Sequence, residues 1–226
     1  MIKSRLQLLM SLALMMLLLS LSQLIQAEDS TDSEVVSAES LLKDFFANTQ
    51  SLTADFTQIT LDTNGQLLDE QESVGVFVLE RPNKFRWHAI TPSELILIAD
   101  GEKFWNYDVE LEQLIIKPIN KTLSESPALL LSGESDVLKA FAIVASFDTT
   151  LEIGTLKWVQ LVPKDNNSDF SKLSIGFLDN EIRLMEFSTT VGQVIRVELT
   201  NVNRNVELKE SLFELTVPDY VDVIGR

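Results

Sequence analysis

The fold is decided by a stretch in which every residue is apolar or glycine, Val-Gly-Val-Phe-Val-Leu at residues 74–79. Its length and its β-branched and aromatic side chains predict a strand. Residues 94–99 form a second strand that carries apolar side chains on both faces. Because an antiparallel strand with one face in water alternates polar and apolar residues, these two strands need cover on both sides. That cover would come from a helix or from a sheet that curls around a filled interior.

Short turns connect these strands to their neighbours in the first half of the chain. Asn64-Gly65 and Asp100-Gly101 are hairpin signals, and Pro82-Asn83 and Pro92-Ser93 mark two further turns. The residues between the turns have a period of two, which predicts a meander of antiparallel strands. The predicted strands are residues 52–62, 67–81, 84–90, 94–99, 103–108 and 113–117.

Helical spacing occurs at the start of this region and again in the middle of the chain. Residues 38–49 predict an amphipathic helix that is capped by Ser37 or, alternatively, by Ser40. Residues 120–140 predict two short helical pieces separated by Gly133. Strands then resume, and the predicted ones are residues 141–147, 156–162, 172–178, 182–189, 193–202 and 212–217.

This order of elements predicts a mainly β protein of the α+β class. One helix at the start and two short helices in the middle are placed to cover the concave side of a strongly bent sheet. The predicted architecture is therefore an open or incomplete antiparallel β-barrel with a cover of short α-helices.

The amino terminus carries an export pattern. Lys3 and Arg5 precede an apolar stretch that closes at Ala27, which predicts a cleaved signal peptide over residues 1–27, with an uncleaved membrane anchor as the alternative. Residues 28–37 then predict a disordered acidic lead-in, and residues 38–226 predict a single domain. We therefore expect a periplasmic location.

The charge of the chain excludes some partners. The formal net charge is −16, and removal of the two basic residues of the signal peptide takes it to −18. A protein this acidic is repelled by nucleic acids and anionic membrane surfaces. We therefore expect no nucleic-acid partner and no permanent membrane residence.

Residues that carry catalytic chemistry are scarce. The chain has one histidine, His88, and no cysteine, which excludes a zinc or redox site built from these ligands as well as a lipidated amino-terminal cysteine. No nucleophile-elbow or phosphate-binding glycine pattern is present. We expect no catalytic residues, metal or cofactor, although spacing alone leaves a pair of carboxylates open.

Aromatic residues are concentrated on neighbouring strands of the meander. Any one of them is explained by an ordinary core, but as a group they could line a ligand cavity inside a curled sheet. They are Phe85, Trp87, Phe104, Trp105 and Tyr107.

Several motifs resemble the periplasmic outer-membrane lipoprotein carrier family, LolA. The most specific is Glu-Arg-Pro-Asn-Lys-Phe-Arg-Trp-His at residues 80–88, and the similarity extends over most of the chain after the signal peptide. The other stretches are Leu-Thr-Ala-Asp-Phe-Thr-Gln at 52–58, Asp100-Gly101 followed by Trp105 and Tyr107, Pro-Ala-Leu-Leu-Leu-Ser-Gly at 127–133, Leu-Val-Pro-Lys at 161–164, Ser-Leu-Phe at 211–213, and Pro218.

The resemblance implies an incomplete β-barrel with a lid of short α-helices over a hydrophobic cavity. It also implies a monomeric carrier rather than an enzyme. Such a carrier takes triacylated lipoproteins from an inner-membrane ABC transporter and hands them to the outer-membrane receptor lipoprotein LolB. A sensor or regulatory module with a related fold is the alternative, and a carboxylate-dependent hydrolase is a third hypothesis.

The resemblance also implies roles for individual residues. Arg81 would hold the lid closed by bonding its carbonyl groups, and Phe85 would lie at the cavity lip and dock the transporter. The lid would be residues 123–131 and the short helix that follows. The residues expected to form the acyl-binding cavity and lid are Phe56, Trp87, Trp105, Tyr107, Leu129, Leu130 and Leu131.

Overall fold

A computed structural model describes residues 37–68, 72–119, 127–133, 135–165, 168 and 170–225. The predicted signal peptide and the lead-in up to residue 36 lie outside the described residues. Within the described part, no helix has the length and apolar character needed to cross a bilayer.

The described residues form one open sheet of twelve strands, and the mainly β prediction is confirmed. The strands are β1 (Ser51–Leu61), β2 (Ser73–Glu80), β3 (Lys84–Thr91), β4 (Leu95–Asp100), β5 (Lys103–Asp108), β6 (Gln113–Pro118), β7 (Phe141–Leu151), β8 (Gly154–Pro163), β9 (Phe170–Leu178), β10 (Glu181–Thr189), β11 (Val194–Arg204) and β12 (Asp222–Ile224). Their order is β12-β6-β5-β4-β3-β2-β1-β11-β10-β9-β8-β7. Neighbours are antiparallel except β12, which pairs in parallel with β6. Since β12 and β7 stand at opposite ends of this order, the sheet is not closed into a barrel.

Helix α1 (Ala38–Asn48) confirms the first predicted helix. Ser37 is its cap, because the Ser37 hydroxyl oxygen accepts a hydrogen bond of 3.1 Å from the backbone N–H of Ser40. This bond decides between the two serines. The side chains of Leu42, Phe45 and two neighbours on the same stripe are buried against the sheet.

The predicted mid-chain helices are confirmed where the structure describes them. Helix α2 spans Pro127–Ser132 and a 3₁₀ helix spans Ser135–Ala140. Gly133 lies between them, as the sequence predicts. Leu123 and the rest of residues 120–126 lie outside the described residues.

The two faces of the sheet carry separate apolar clusters. On the face that packs against α1 and α2, here called the inner face, Phe77 and Leu79 of β2 are fully buried. On the opposite face, here called the outer face, Val78 of β2 joins a second cluster with Ile96 and Ile98 of β4. Cover on both faces explains the missing polar alternation in residues 95–99 and 77–79, whereas Val74 and Val76 are exposed and extend the apolar run of β2 beyond its cover.

The cover of the outer face corrects one predicted element. Residues 212–217 are not a strand: a 3₁₀ helix spans Glu210–Phe213, and the chain continues in extended form without pairing. Phe213 is buried in the outer cluster, and Leu215 and Val217 pack against that cluster. Every second side chain therefore faces the sheet, so the period of two arises from one-sided burial rather than from strand pairing.

The start of the second strand is also corrected. The turn at Asn64-Gly65 is present, with Gly65 at φ +78°, where glycine lacks the steric penalty of other residues. Beyond the turn, a bridge between Leu61 and Leu67 continues the pairing, and residues 69–71 lie outside the described part. Regular β2 begins at Ser73 rather than at residue 67.

Candidate functional site

Two rings from different strands form the centre of the inner face. Phe56 of β1 and Trp87 of β3 are stacked with ring centroids 3.7 Å apart and an interplanar angle of 24°. Phe77 of β2 lies 5.5 Å from the Trp87 ring. Phe56 and Trp87 can stack across β2 because the strand between them carries Gly75, which has no side chain. A Cβ atom at this position would lie 1.9 Å from the His88 carbonyl oxygen and 2.8 Å from the Phe56 ring.

Helix α2 covers this part of the inner face. It lies against β3 and β2. Leu129, Leu130 and Leu131 are each no more than 1% exposed and belong to the same cluster as Phe56 and Trp87. The structure therefore brings five of the predicted cavity and lid residues together.

Phe85 of β3 is also part of the inner face. Its side chain is fully buried, with its ring centroid 6.2 Å from that of Phe104. Its pairing partners are Leu79 on β2 and Ala99 on β4. In this arrangement the Phe85 ring is inaccessible to another protein.

Arg81 joins α1, α2 and the sheet. Its Nε donates to the Gly133 carbonyl oxygen at 2.8 Å and its Nη2 donates to that of Leu131 at 2.7 Å. Its Nη1 donates to the carbonyl oxygens of Thr49 and of Phe45, the latter at 3.4 Å. The guanidinium therefore binds carbonyl groups at the carboxyl-terminal ends of both helices, where the helix dipole favours a cation.

Two aromatic rings complete the surroundings of this guanidinium. Its central carbon lies 4.9 Å from the Phe45 ring centroid and 4.7 Å from the Phe46 ring centroid. Burial lowers the pKa of Arg81 to about 10, so the side chain stays protonated at neutral pH. Phe45 and Phe46 therefore make cation–π contacts in addition to packing on the sheet, which the helical spacing of the sequence does not reveal.

Trp105 and Tyr107 do not join this site. Both belong to the outer cluster, with Tyr107 buried and Trp105 partly buried. Trp105 donates from Nε1 to an Asp100 carboxylate oxygen at 2.9 Å. Since side chains alternate along a strand, it is Phe104 of β5 that reaches the inner cluster.

The one histidine lies apart from the inner face. His88 points to the outer face, where its Nε2 lies 2.8 Å from a Glu94 carboxylate oxygen. Within the described residues, no group of three or more histidine, aspartate or glutamate side chains is placed to hold a metal ion.

The outer face of the second half of the sheet carries a shallow depression of about 300 Å³. Trp158 forms its floor, with the ring lying over Gly176, and the Phe147 ring lies nearly parallel to it at 6.4 Å. An ion pair of 2.8 Å between Glu186 and Arg196 borders it. Sequence reasoning did not single out these residues.

Comparison with known proteins assigns the chain to a family. Residues 47–216 match the family described as outer membrane lipoprotein carrier protein LolA. The chain belongs to this family. An outer-membrane lipoprotein carrier protein of Methylobacillus flagellatus is 36% identical over 185 residues, which cover 82% of this chain and 87% of that protein. Another, from Pseudomonas aeruginosa, is 40% identical over 176 residues, which cover 77% and 81%.

A solved structure shares the fold of this LolA family member. An uncharacterized conserved protein from Thermus thermophilus superposes with a TM-score of 0.51 at 16% identity. The superposition covers 84% of this chain and 99% of that one.

Proposed function

We propose that this chain carries lipoproteins across the periplasm by holding their acyl chains between the inner face of the sheet and helix α2. The observation that carries the proposal is the position of α2. Three leucines of this helix, Leu129–Leu131, lie buried on a platform of large apolar side chains, while its carbonyl groups are bound by Arg81. A short helix that buries apolar side chains and is fastened by hydrogen bonds at its carboxyl-terminal end can lift as a lid.

The energetics of lipid transfer require such a carrier. Burying one methylene group gains about 0.8 kcal/mol, so three long acyl chains in water would cost on the order of 30 kcal/mol. The inner face supplies apolar partners, and the acidic surface keeps the complex in solution. The chain is a carrier and not an enzyme, and transfer of a lipoprotein breaks no covalent bond.

The bonds of Arg81 define the empty, closed state. When they break, α2 can rise, and acyl chains can replace its leucines against Phe56 and Trp87. Each acyl chain then replaces contacts that the lid made in the closed state. The free-energy difference between the empty, closed state and the loaded, open state therefore stays small enough for release. Trp105 and Tyr107 lie on the other face, so the proposed cavity is smaller than the one inferred from sequence.

Opening would also expose Phe85. The ring is buried in the closed state, so its proposed role in docking the inner-membrane ABC transporter requires that the lid be displaced. We also propose delivery to LolB, export by a signal peptide cleaved after Ala27, and a single carrier domain over residues 38–226. The family's task of carrying lipoproteins supports each of these.

Binding of a synthetic triacylated lipopeptide with a solvent-sensitive fluorophore on one acyl chain tests the function. The protein without residues 1–27 is titrated into the lipopeptide, and the same peptide without acyl chains is the control. We expect a saturable blue shift and a soluble one-to-one complex with the acylated peptide alone. A lipopeptide that stays in micelles at every protein concentration would contradict the proposal.

A further inference from the structure

The turn before β3 makes a second contact with the lid that does not depend on a side chain. The backbone N–H of Asn83 donates to the Ser132 carbonyl oxygen at 2.9 Å. Arg81 binds the carbonyl oxygens on either side, those of Leu131 and Gly133. Two residues of one turn therefore bind three successive carbonyl groups at the end of α2.

These carbonyl groups are the ones that a helix cannot satisfy by itself. The last carbonyls of a helix lack partners within it and need donors from elsewhere. Here Ser132 is fully buried, so bulk solvent does not reach its carbonyl oxygen. The Ser132 side chain turns back and donates to the Leu129 carbonyl oxygen at 3.0 Å. Among the described residues, the Asn83 N–H is the donor on which the Ser132 carbonyl relies in the closed state.

The backbone conformation of Asn83 aims this donor. Its φ is +62°, in the left-handed region that asparagine tolerates and β-branched residues avoid. A residue that cannot hold this angle would rotate the peptide and turn the N–H away from α2.

We infer that Asn83 is a positioning residue for the lid: its left-handed backbone supplies a main-chain bond that, together with Arg81, holds α2 closed. This inference rests on the proposed function, because it takes α2 to be the lid that opens. It follows that loss of the Arg81 side chain leaves the lid partly held. The chain beyond the lid is fastened separately, since the Lys164 N–H donates to the Ala140 carbonyl oxygen at 2.8 Å. The 3₁₀ helix can then act as the fixed side when α2 lifts.

Three variants separate positioning from simple destabilisation. Asn83→Val disfavours the left-handed angle, and Asn83→Gly retains it. Asn180→Val is the matched control, because Asn180 has φ +66° in the turn between β9 and β10 rather than in the turn that binds α2. Hydrogen exchange measured by mass spectrometry reports the protection of amides in residues 127–133, and thermal unfolding reports global stability.

We expect Asn83→Val to lower protection in residues 127–133 about fivefold to tenfold, as for one lost buried hydrogen bond, with little change in the remaining strands. Asn83→Gly should keep wild-type protection, and Asn180→Val should lower thermal stability without a selective change in the lid. The inference would be overturned if Asn83→Val and Asn180→Val lowered amide protection in residues 127–133 equally. It would also be overturned if Asn83→Val and Asn83→Gly lowered that protection equally. If Asn83→Val does not fold, Asn83→Ala gives a weaker form of the same comparison.

The exchange measurement is made without lipid and is independent of cargo. Failure of the wild-type protein to bind the lipopeptide would remove the carrier proposal but leave the exchange result to decide the Asn83 contact. Conversely, normal lipopeptide binding together with unaltered exchange in Asn83→Val would remove this inference alone.

Discussion

Replacement of Arg81 by leucine should shift the lid toward its open state. The change removes two charge-assisted hydrogen bonds to the lid, those to Leu131 and Gly133. Such bonds contribute about 1.5–3 kcal/mol each, but burial of the guanidinium offsets part of this gain. We expect the closed state to lose about 2–3 kcal/mol of stability relative to the open state, which lowers the ratio of closed to open protein about 30- to 150-fold.

This shift has a measurable effect on ligand binding. A ligand that binds only the open state gains apparent affinity in proportion to the open population. Arg81→Leu should therefore bind the triacylated lipopeptide more tightly, with an apparent dissociation constant lower by roughly ten- to a hundredfold, divided between faster capture and slower release. Fluorescence titration and a dissociation chase with excess unlabelled lipopeptide measure both quantities.

Arg196→Leu serves as the matched control. It also removes an arginine that forms an ion pair, here with Glu186, but on the outer face of the sheet. Its affinity for the lipopeptide should match that of the wild-type protein. Equal affinity and equal release rates for Arg81→Leu and the wild-type protein would refute the latch.

Three further changes test the two faces of the sheet. Gly75→Ala should destabilise the fold by about 2–4 kcal/mol in urea denaturation, because its methyl group would lie 1.9 Å from the His88 carbonyl oxygen; a loss under about 0.5 kcal/mol would contradict the close packing. Phe213→Ala should cost about 3–5 kcal/mol through a cavity in the outer cluster yet leave lipopeptide affinity unchanged; weakened binding in the folded variant would place the ligand on the wrong face. Asp100→Asn should lower the free energy of unfolding above about pH 4. Burial opposes ionisation of Asp100, but the N–H donors of Lys103, Trp105 and Glu102 hold its pKa below 3.8. The ionised carboxylate therefore stabilises the fold above that pH, and this contribution is lost as the pH falls through the lowered pKa. Denaturation of this variant and the wild type at several pH values should show a difference that shrinks on acidification, and a difference that stays constant from neutral to strongly acidic pH would contradict this.

Most strands could be predicted from the sequence because the alternation of side chains and the residues of tight turns are local properties of the chain. The period of two located the meander, and the left-handed conformation favoured by Asn-Gly fixed one hairpin. The Ser37 cap was decided only by the structure, since Ser37 and Ser40 satisfy the same rule.

The grouping of the aromatic residues depended on register, which the sequence does not contain. Phe85 pairs with Ala99, and Ala99 pairs with Phe104, so these residues share the inner face. Trp105 pairs with Ile98 and therefore lies on the outer face. A shift of one residue between strands would have reversed this assignment.

The last predicted strand failed for a related reason. An extended segment that buries every second side chain has the same period as a paired strand. The alternation of Phe213, Leu215 and Val217 therefore predicted a strand, whereas these residues cover the sheet from outside.

The most direct measurement of the carrier function is where the acyl chain lies in the loaded protein. A triacylated lipopeptide with a photoreactive diazirine on one acyl chain is bound, irradiated and mapped by peptide mass spectrometry. We expect cross-links to Phe56, Trp87 and Leu129–Leu131 on the inner face. Cross-links confined to Trp105 and Tyr107, or to the depression at Trp158, would contradict the account.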